Sequence, residues 1–125
     1  MKKFFYIITA FVIVFVIISF ISCGEPTPVT GGPVEFAKLV DGVYDGSYKG
    51  GPNSAVVKVT IKDKKIANIE IVEHNAWKGK KAEPIIVKEI IEKQSTKVDA
   101  VTGATNSSNV IMNAVQKAIE KAYQS

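Results

Sequence analysis

Positions 99 to 108 read Asp-Ala-Val-Thr-Gly-Ala-Thr-Asn-Ser-Ser, a stretch of small, hydroxyl-rich residues with a single charge. An apolar pattern at helical spacing follows from about Ser108 to Tyr123, so this stretch predicts the start of a helix. Thr, Asn and Ser are favoured N-cap residues, because their oxygens accept bonds from the free N–H groups of a first turn. Those N–H groups and the positive end of the helix dipole also attract phosphate. A capped loop without a ligand is the alternative.

Outward from this stretch, alternating apolar residues predict β-strands. Ser54 to Ile61 places Val57, Val59 and Ile61 on one face, and Ile66 to Glu73 places Ala67, Ile69 and Ile71 on one face. The intervening Lys62-Asp63-Lys64-Lys65 predicts a hairpin turn, although the glycine that usually follows the aspartate is replaced by Lys64. Val43 to Tyr48 predicts a further strand.

Two helices complete the predicted fold. Ala82 to Gln94 is amphipathic, with Ile86, Val87, Ile90 and Ile91 on one side. The last helix is expected to bury Val110 or Ile111, Ala114, Val115, Ala118, Ile119 and Ala122. We therefore predict an α+β domain: a small antiparallel sheet of three or four strands, the fourth being a brief one through Val98 to Val101, with two helices packed on one face.

The N-terminal quarter of the chain, up to residue 33, has a different composition. Lys2 and Lys3 precede eighteen uncharged, mostly apolar residues, which predicts a signal peptide or membrane anchor over residues 1–22. Cys23 is the only cysteine, and its position after Ser22 resembles the lipidation site of bacterial lipoproteins. Residues 23–33 then read as a lipidated cysteine and a flexible tether, and residues 34–125 as the globular domain. An uncleaved helix with a free thiol is the alternative.

The charge distribution argues against nucleic-acid binding. Beyond residue 22 the chain has fourteen lysines and no arginine against twelve acidic residues, a net charge of +2. The lysines do not alternate with aromatic residues along one stripe. The clusters at 62–65 and 78–81 are expected to be solvated loops, with contact to anionic lipid or an acidic partner as the alternative.

The heptapeptide from Asp99 to Thr105 resembles the signature of the FMN-binding domain family: Asp, two variable residues, Ser or Thr, Gly, Ala, and Ser or Thr. The segment from Asp41 to Gly50 is similar to the family's opening segment. The resemblance implies that the Thr105 hydroxyl is esterified to FMN by a flavin transferase that uses FAD. Thr102, Gly103, Ala104 and Asp99 would then serve recognition and backbone shape, with local bracing of the loop as the alternative for Asp99.

Three aromatic or imidazole side chains are candidate contacts for a flavin ring: Tyr44, His74 and Trp77. Packing in the core or at its edge is the alternative for each of them. His74 is the only histidine, so the sequence offers no cluster of ligands for a metal. It also lacks the Gly-x-Ser-x-Gly elbow of a serine hydrolase, and we assign no catalytic residue.

These features predict a flavoprotein held on the extracytosolic side of a bacterial cell membrane, through Cys23 or the N-terminal helix. It would relay electrons between a membrane redox complex and an external acceptor, as an electron-transfer protein and not a stand-alone enzyme. The alternatives are a lipoprotein that holds FMN or another phosphate ligand non-covalently, and an accessory redox domain of a separate extracytosolic reductase.

Overall fold

The computed structural model describes residues 27–76 and 79–123. After a single 3-10 turn at Phe36–Lys38, the elements are β1 (Gly42–Gly50), β2 (Asn53–Lys62), β3 (Lys65–Asn75), α1 (Ala82–Lys93) and α2 (Thr105–Ala122). The predicted signal or anchor and Cys23 lie outside the described residues. Among the residues that are described, no helix has the length and apolar character needed to cross a membrane.

The three strands form one antiparallel sheet in the order β1-β2-β3, and the two helices pack on it around a single core. The predicted α+β class is therefore confirmed, with three strands. Residues 98–101 are irregular and do not form the fourth strand. The alternation predicted for β2 is confirmed, because Val57, Val59 and Ile61 are all buried.

Strand β3 departs from simple alternation at two β-bulges. The pairing register with β2 shifts between Thr60 and Ile61 and again between Val56 and Val57, so that Ala67 and Val72 are the extra residues on β3. Ala67 is exposed, so its predicted place on one face with Ile69 and Ile71 is wrong; Ile66 is buried instead. The second bulge turns His74 to the buried face, whereas uninterrupted alternation from Ile69 would have turned Glu73 inward.

Helix α2 lies directly on β1 at Gly46. A β-carbon built on Gly46 would collide with the backbone of Ala114 and Ala118, so the helix and strand touch there without an intervening side chain. All of the core residues predicted for this helix are buried. The helix begins at Thr105, three residues earlier than predicted.

A segment that precedes the sheet covers another side of α2. Residues 27–34, which we call the N-terminal strap, run along this helix and bind a row of its amide side chains. Thr27 bonds to Asn106, and Thr30 N–H donates to Asn113 Oδ1 at 2.9 Å. Asn113 Nδ2 donates to Pro28 O at 2.8 Å, so this fully buried amide is satisfied at both ends. The structure therefore extends the folded part of the chain to Thr27, into the segment expected to be a flexible tether.

The turn between β2 and β3 is held by a carboxylate from a distant part of the chain. Asp63 and Lys64 both have positive φ (53° and 58°), which defines the type I′ turn that suits a two-residue hairpin. Such φ values are unfavourable for residues with a β-carbon. The Asp41 carboxylate accepts the N–H groups of both residues, at 3.1 and 3.0 Å, and thereby stabilises the turn without a glycine.

The contact at Gly46 gives the first prediction. Gly46→Ala should lower the free energy of unfolding by about 1–3 kcal/mol, because the added methyl group forces helix and strand apart. Urea unfolding followed by circular dichroism measures this change. Gly32→Ala is the matched control, since a β-carbon there meets nothing within 4 Å. Equal stability of the two variants would contradict the close contact at Gly46.

The Asp41 carboxylate gives a prediction about pH. The hydrogen bonds from Lys64 and Asp63 N–H hold the pKa of the Asp41 carboxyl below its ordinary value of 3.8. Because the pKa is lower in the folded state, the stabilisation is present above about pH 4 and is lost as the pH falls through the folded-state pKa. Asp41→Asn should reduce the urea midpoint at pH 7 and flatten its dependence on pH below 4. Asp45→Asn, on the exposed face of β1, should behave as the parent chain does; a loss of equal size there would disprove the assignment.

Candidate functional site

The loop before α2 is a tight turn whose shape requires a glycine. Ala104 N–H donates to Val101 O at 2.9 Å, and Gly103 has a φ of +81°. In this four-residue turn, 101–104, only the third residue has a positive φ, which is typical of a type II turn. Ser108, which is fully buried, fixes this turn to the helix: its hydroxyl accepts Val101 N–H at 3.0 Å and donates to Ala104 O at 2.7 Å. Ser108 is thus a brace inside the helix and not its N-cap.

Thr105 is the first residue of α2, and it is exposed. The N-cap position belongs to Ala104, which has no side-chain oxygen, so the expected capping by Thr, Asn or Ser is wrong. The first bond of the helical ladder joins Ser108 N–H to Ala104 O. The N–H groups of Thr105, Asn106 and Ser107 therefore precede the ladder and have no partner within it.

The residues of this first turn line a cleft of about 220 Å³. Its walls come from Asn53, Gly79 and the five residues 103–107. Gly79 is packed against Ser107 so closely that a β-carbon on it would collide with the serine side chain. The cleft thus lies between the turn of the β1–β2 hairpin, the loop after β3 and the start of α2, and Thr105 is one of its lining residues.

A lysine that sequence reasoning did not assign to the site lies beside the turn. A β-carbon built on Gly103 would stand 3.1 Å from Lys81 Nζ, so this ammonium lies over the glycine face of the turn. Lys81 occupies the N-cap position of α1 and is exposed. Its charge adds to the positive end of the α2 dipole. The sequence alone could not single out Lys81 as a site residue, because the adjacent Lys80 carries the same charge.

Asn106 connects the site to two other parts of the chain. Its Oδ1 accepts the Thr27 N–H at 3.0 Å and the Thr27 hydroxyl at 2.7 Å, while its Nδ2 donates to Gly50 O at 3.1 Å. The side chain next to Thr105 is therefore fully used in holding the strap and the end of β1. This arrangement leaves the Thr105 side chain as the hydroxyl at the open end of the helix.

The other predicted site residues are distributed as follows. Thr102 and Asp99 are exposed in and before the turn. Tyr44 lies away from the cleft lining, packed at the edge of the core with its hydroxyl donating to Val40 O at 2.8 Å. Trp77 lies outside the described residues. The structure therefore brings Gly103, Ala104 and Thr105 together at the cleft.

His74 lies near the end of β3, and its side chain is buried. Its Nδ1 is 2.9 Å from Glu83 Oε1 at the start of α1. Its Nε2 is buried and has no hydrogen-bond partner among the described residues. The contact with Glu83 joins the end of β3 to α1 and so helps to hold the loop that carries Gly79 and Lys81. A contact between His74 and a flavin ring stays a prediction.

Comparison with known proteins identifies the class of this domain. The family model of the FMN-binding domain matches residues 50–120, more than half of the chain, so the chain belongs to the FMN-binding domain family. This confirms the resemblance drawn from residues 99–105. The matched range begins at Gly50, and the likeness of residues 41–50 to the family's opening segment stays a prediction.

Two further similarities support the fold. An uncharacterized protein of Treponema pallidum (strain Nichols) is 32% identical over 91 residues, which cover 68% of this chain and 24% of that protein. The chain thus spans about a quarter of the length of this relative. The crystal structure of the CPE2226 protein from Clostridium perfringens matches with a TM-score of 0.55 and 26% identity, over 67% of this chain and 88% of the other.

The cleft suits one end of FMN. It is lined by the first turn of α2, whose N–H groups have no partner in the helical ladder, and the Lys81 ammonium lies beside Gly103 in its wall. A helix start with a nearby cation suits a phosphate rather than an apolar ring system. Its volume is below the roughly 300–1,000 Å³ of pockets that enclose a small molecule. The residues present therefore fit the phosphate of FMN, and the ring system would extend out of the cleft.

Proposed function

We propose that this FMN-binding protein carries its flavin covalently on Thr105 and relays electrons on the extracytosolic side of a bacterial membrane. The observation that carries the proposal is the Thr105 hydroxyl itself. Thr105 is exposed at the first position of α2 and lines the cleft together with the other residues of the first turn. It is also the last residue of the family signature.

The attachment reaction balances with FAD as the flavin donor. The Thr105 oxygen forms a bond to the phosphorus on the riboflavin side of the FAD pyrophosphate, the P–O–P bond breaks, and AMP leaves. The hydroxyl proton is lost in the same step. A flavin transferase would supply the metal and the base; among the described residues of this chain, no cluster of three or more His, Cys, Asp or Glu side chains could hold a metal.

The shape of the Thr105 loop supports its role as a transferase substrate. A hydroxyl on a rigid helix start, after a glycine in a type II turn, can enter a foreign active site without unfolding the domain. Ser108 and Asn106 hold the turn and the first helical residues in place from the buried side. The modified oxygen would therefore keep a fixed position in the fold.

Once attached, the flavin would supply one- and two-electron chemistry, and the protein would supply position and electrostatics. The first-turn N–H groups and Lys81 would bind the phosphodiester. We infer the location outside the cytoplasm from the apolar segment 4–21, and we infer the lipid anchor from Cys23. The proposed partners are a flavin transferase and a membrane redox complex or extracytosolic reductase.

The covalent bond is tested by mass. The exported chain, made together with a flavin transferase, should gain the mass of one FMN less one water, and Thr105→Ala should abolish this gain. Thr102→Ala is the control and should retain the adduct, since its hydroxyl lies in the turn and not at the helix start. Thr105→Ser should retain it as well, because it preserves the nucleophilic oxygen.

The same samples separate the alternatives. Flavin fluorescence that stays with the denatured band on a gel supports the covalent proposal. Flavin that purifies with the folded chain but is released by denaturation would instead indicate non-covalent binding at the cleft. An adduct that persists in Thr105→Ala would move the attachment site to another residue.

The role of Lys81 is tested by the rate of loading. Lys81→Gln should lower the initial rate at which the apo-protein is flavinylated by about threefold, as expected for loss of an exposed charge near a phosphate. Lys80→Gln removes the same charge from the neighbouring position and serves as the control. The rate is measured by intact mass over time, and equal rates for both variants would disprove a specific role for Lys81.

A further inference from the structure

The N-terminal strap runs parallel to α2 and enters at the end where Thr105 lies. Thr27 binds the first turn through Asn106 and Asn109, while Pro28 and Thr30 bind Asn113 two turns further along. Gly32 lies further still, bonded to Thr96, whose hydroxyl contacts Gln116. The direction of the strap is therefore fixed by successive contacts along the helix.

The entry point of the strap is next to the proposed flavin site. Asn106 receives Thr27 and directly follows Thr105 in the chain. A β-carbon on Gly50 would collide with the Thr27 side chain, so this end of the strap is also packed on the end of β1. Chain arriving from Cys23 must therefore reach the domain at its Thr105 end.

The length of chain before Thr27 limits how the domain can stand on a membrane. Four residue steps separate Cys23 from Thr27, and a fully extended chain covers at most about 14 Å in that number. Helix α2 has 18 residues and is about 27 Å long. If the domain contacted the membrane with the end opposite Thr105, Thr27 would lie about 27 Å from the membrane surface. Four residues cannot span that distance.

We infer that the Thr105 end of the domain faces the lipid bilayer to which the chain is anchored. The inference rests on the proposed anchoring at or before Cys23. An uncleaved helix that ends at Ile21 leaves six residue steps before Thr27, at most about 22 Å, which is still shorter than α2. Among the described residues, Lys49, Lys80 and Lys81 are exposed at this end against the exposed Glu73 and the half-buried Glu83, and the positive end of α2 adds to the lysines. This surplus of positive charge complements anionic headgroups.

The orientation of the domain on the membrane can be measured with two variants, each carrying one fluorophore at a different end of the sheet. Lys49→Cys places a label at the Thr105 end, and Lys65→Cys places one at the opposite end; both positions are exposed. The processed full chain is reconstituted into phosphatidylcholine and phosphatidylglycerol vesicles that contain a lipid with a nitroxide headgroup. The label at position 49 should be quenched several-fold more than the label at position 65. Equal or reversed quenching would overturn the inference.

A longer tether provides the matched control. Twenty Gly and Ser residues inserted between Pro26 and Thr27 leave every described contact intact and add a reach of about 25 Å. The difference in quenching between the two labels should then shrink, and an unchanged difference would show that something other than the tether sets the orientation. The chain without an added cysteine is treated with the same fluorophore, and any label that it takes up has reacted with Cys23.

The same vesicles distinguish this inference from the proposed function. Intact mass reports whether FMN is attached, and the labels report orientation whether or not it is. Flavinylated protein with equal quenching of both labels would overturn the orientation alone. Unmodified protein with the expected difference would overturn covalent attachment alone, and protein that does not sediment with the vesicles would overturn the anchoring and the orientation together.

Discussion

At Gly46 the backbone of helix α2 lies against the backbone of strand β1, with no side chain between them. This contact sets the distance between the helix and the sheet, and the apolar residues on both sides of it fill the space that remains. It also fixes where the helix begins relative to the end of β1. The position of Thr105 beside Gly50 and Asn53 is a consequence of that placement.

One helix therefore serves two purposes along its length. Its apolar side forms the core with the sheet, and its row of amide side chains, at positions 106, 109 and 113, binds the N-terminal strap. The open first turn remains for a phosphate, because Ala104 leaves the N–H groups uncapped. Attachment of the strap and packing of the core thus depend on the same element, and so does the binding of FMN that we propose.

The sequence predicted those features that follow from local pattern. Alternation in β2 and helical spacing in α2 gave the fold class, and the motif ending at Thr105 gave the family. The two bulges of β3 could not be predicted, since Ala67 is as compatible with a buried position as with an exposed one. Lys81 was missed because its role depends on a long-range approach to Gly103. The contacts of residues 27–34 with the amides of α2 join parts of the chain about eighty residues apart, so local pattern within the expected tether did not indicate them.

The bulges in β3 also bear on edge-to-edge pairing between copies of the chain. Among the described residues β1 and β3 are the edges of the sheet, and an exposed edge can pair with a strand of another molecule. Extra residues at positions 67 and 72 interrupt the even spacing of backbone groups on β3 and increase its twist. Charged Lys65, Glu70 and Glu73 lie on the same strand and are exposed. Neighbouring copies crowded together would find no long, regular edge on β3 along which to aggregate.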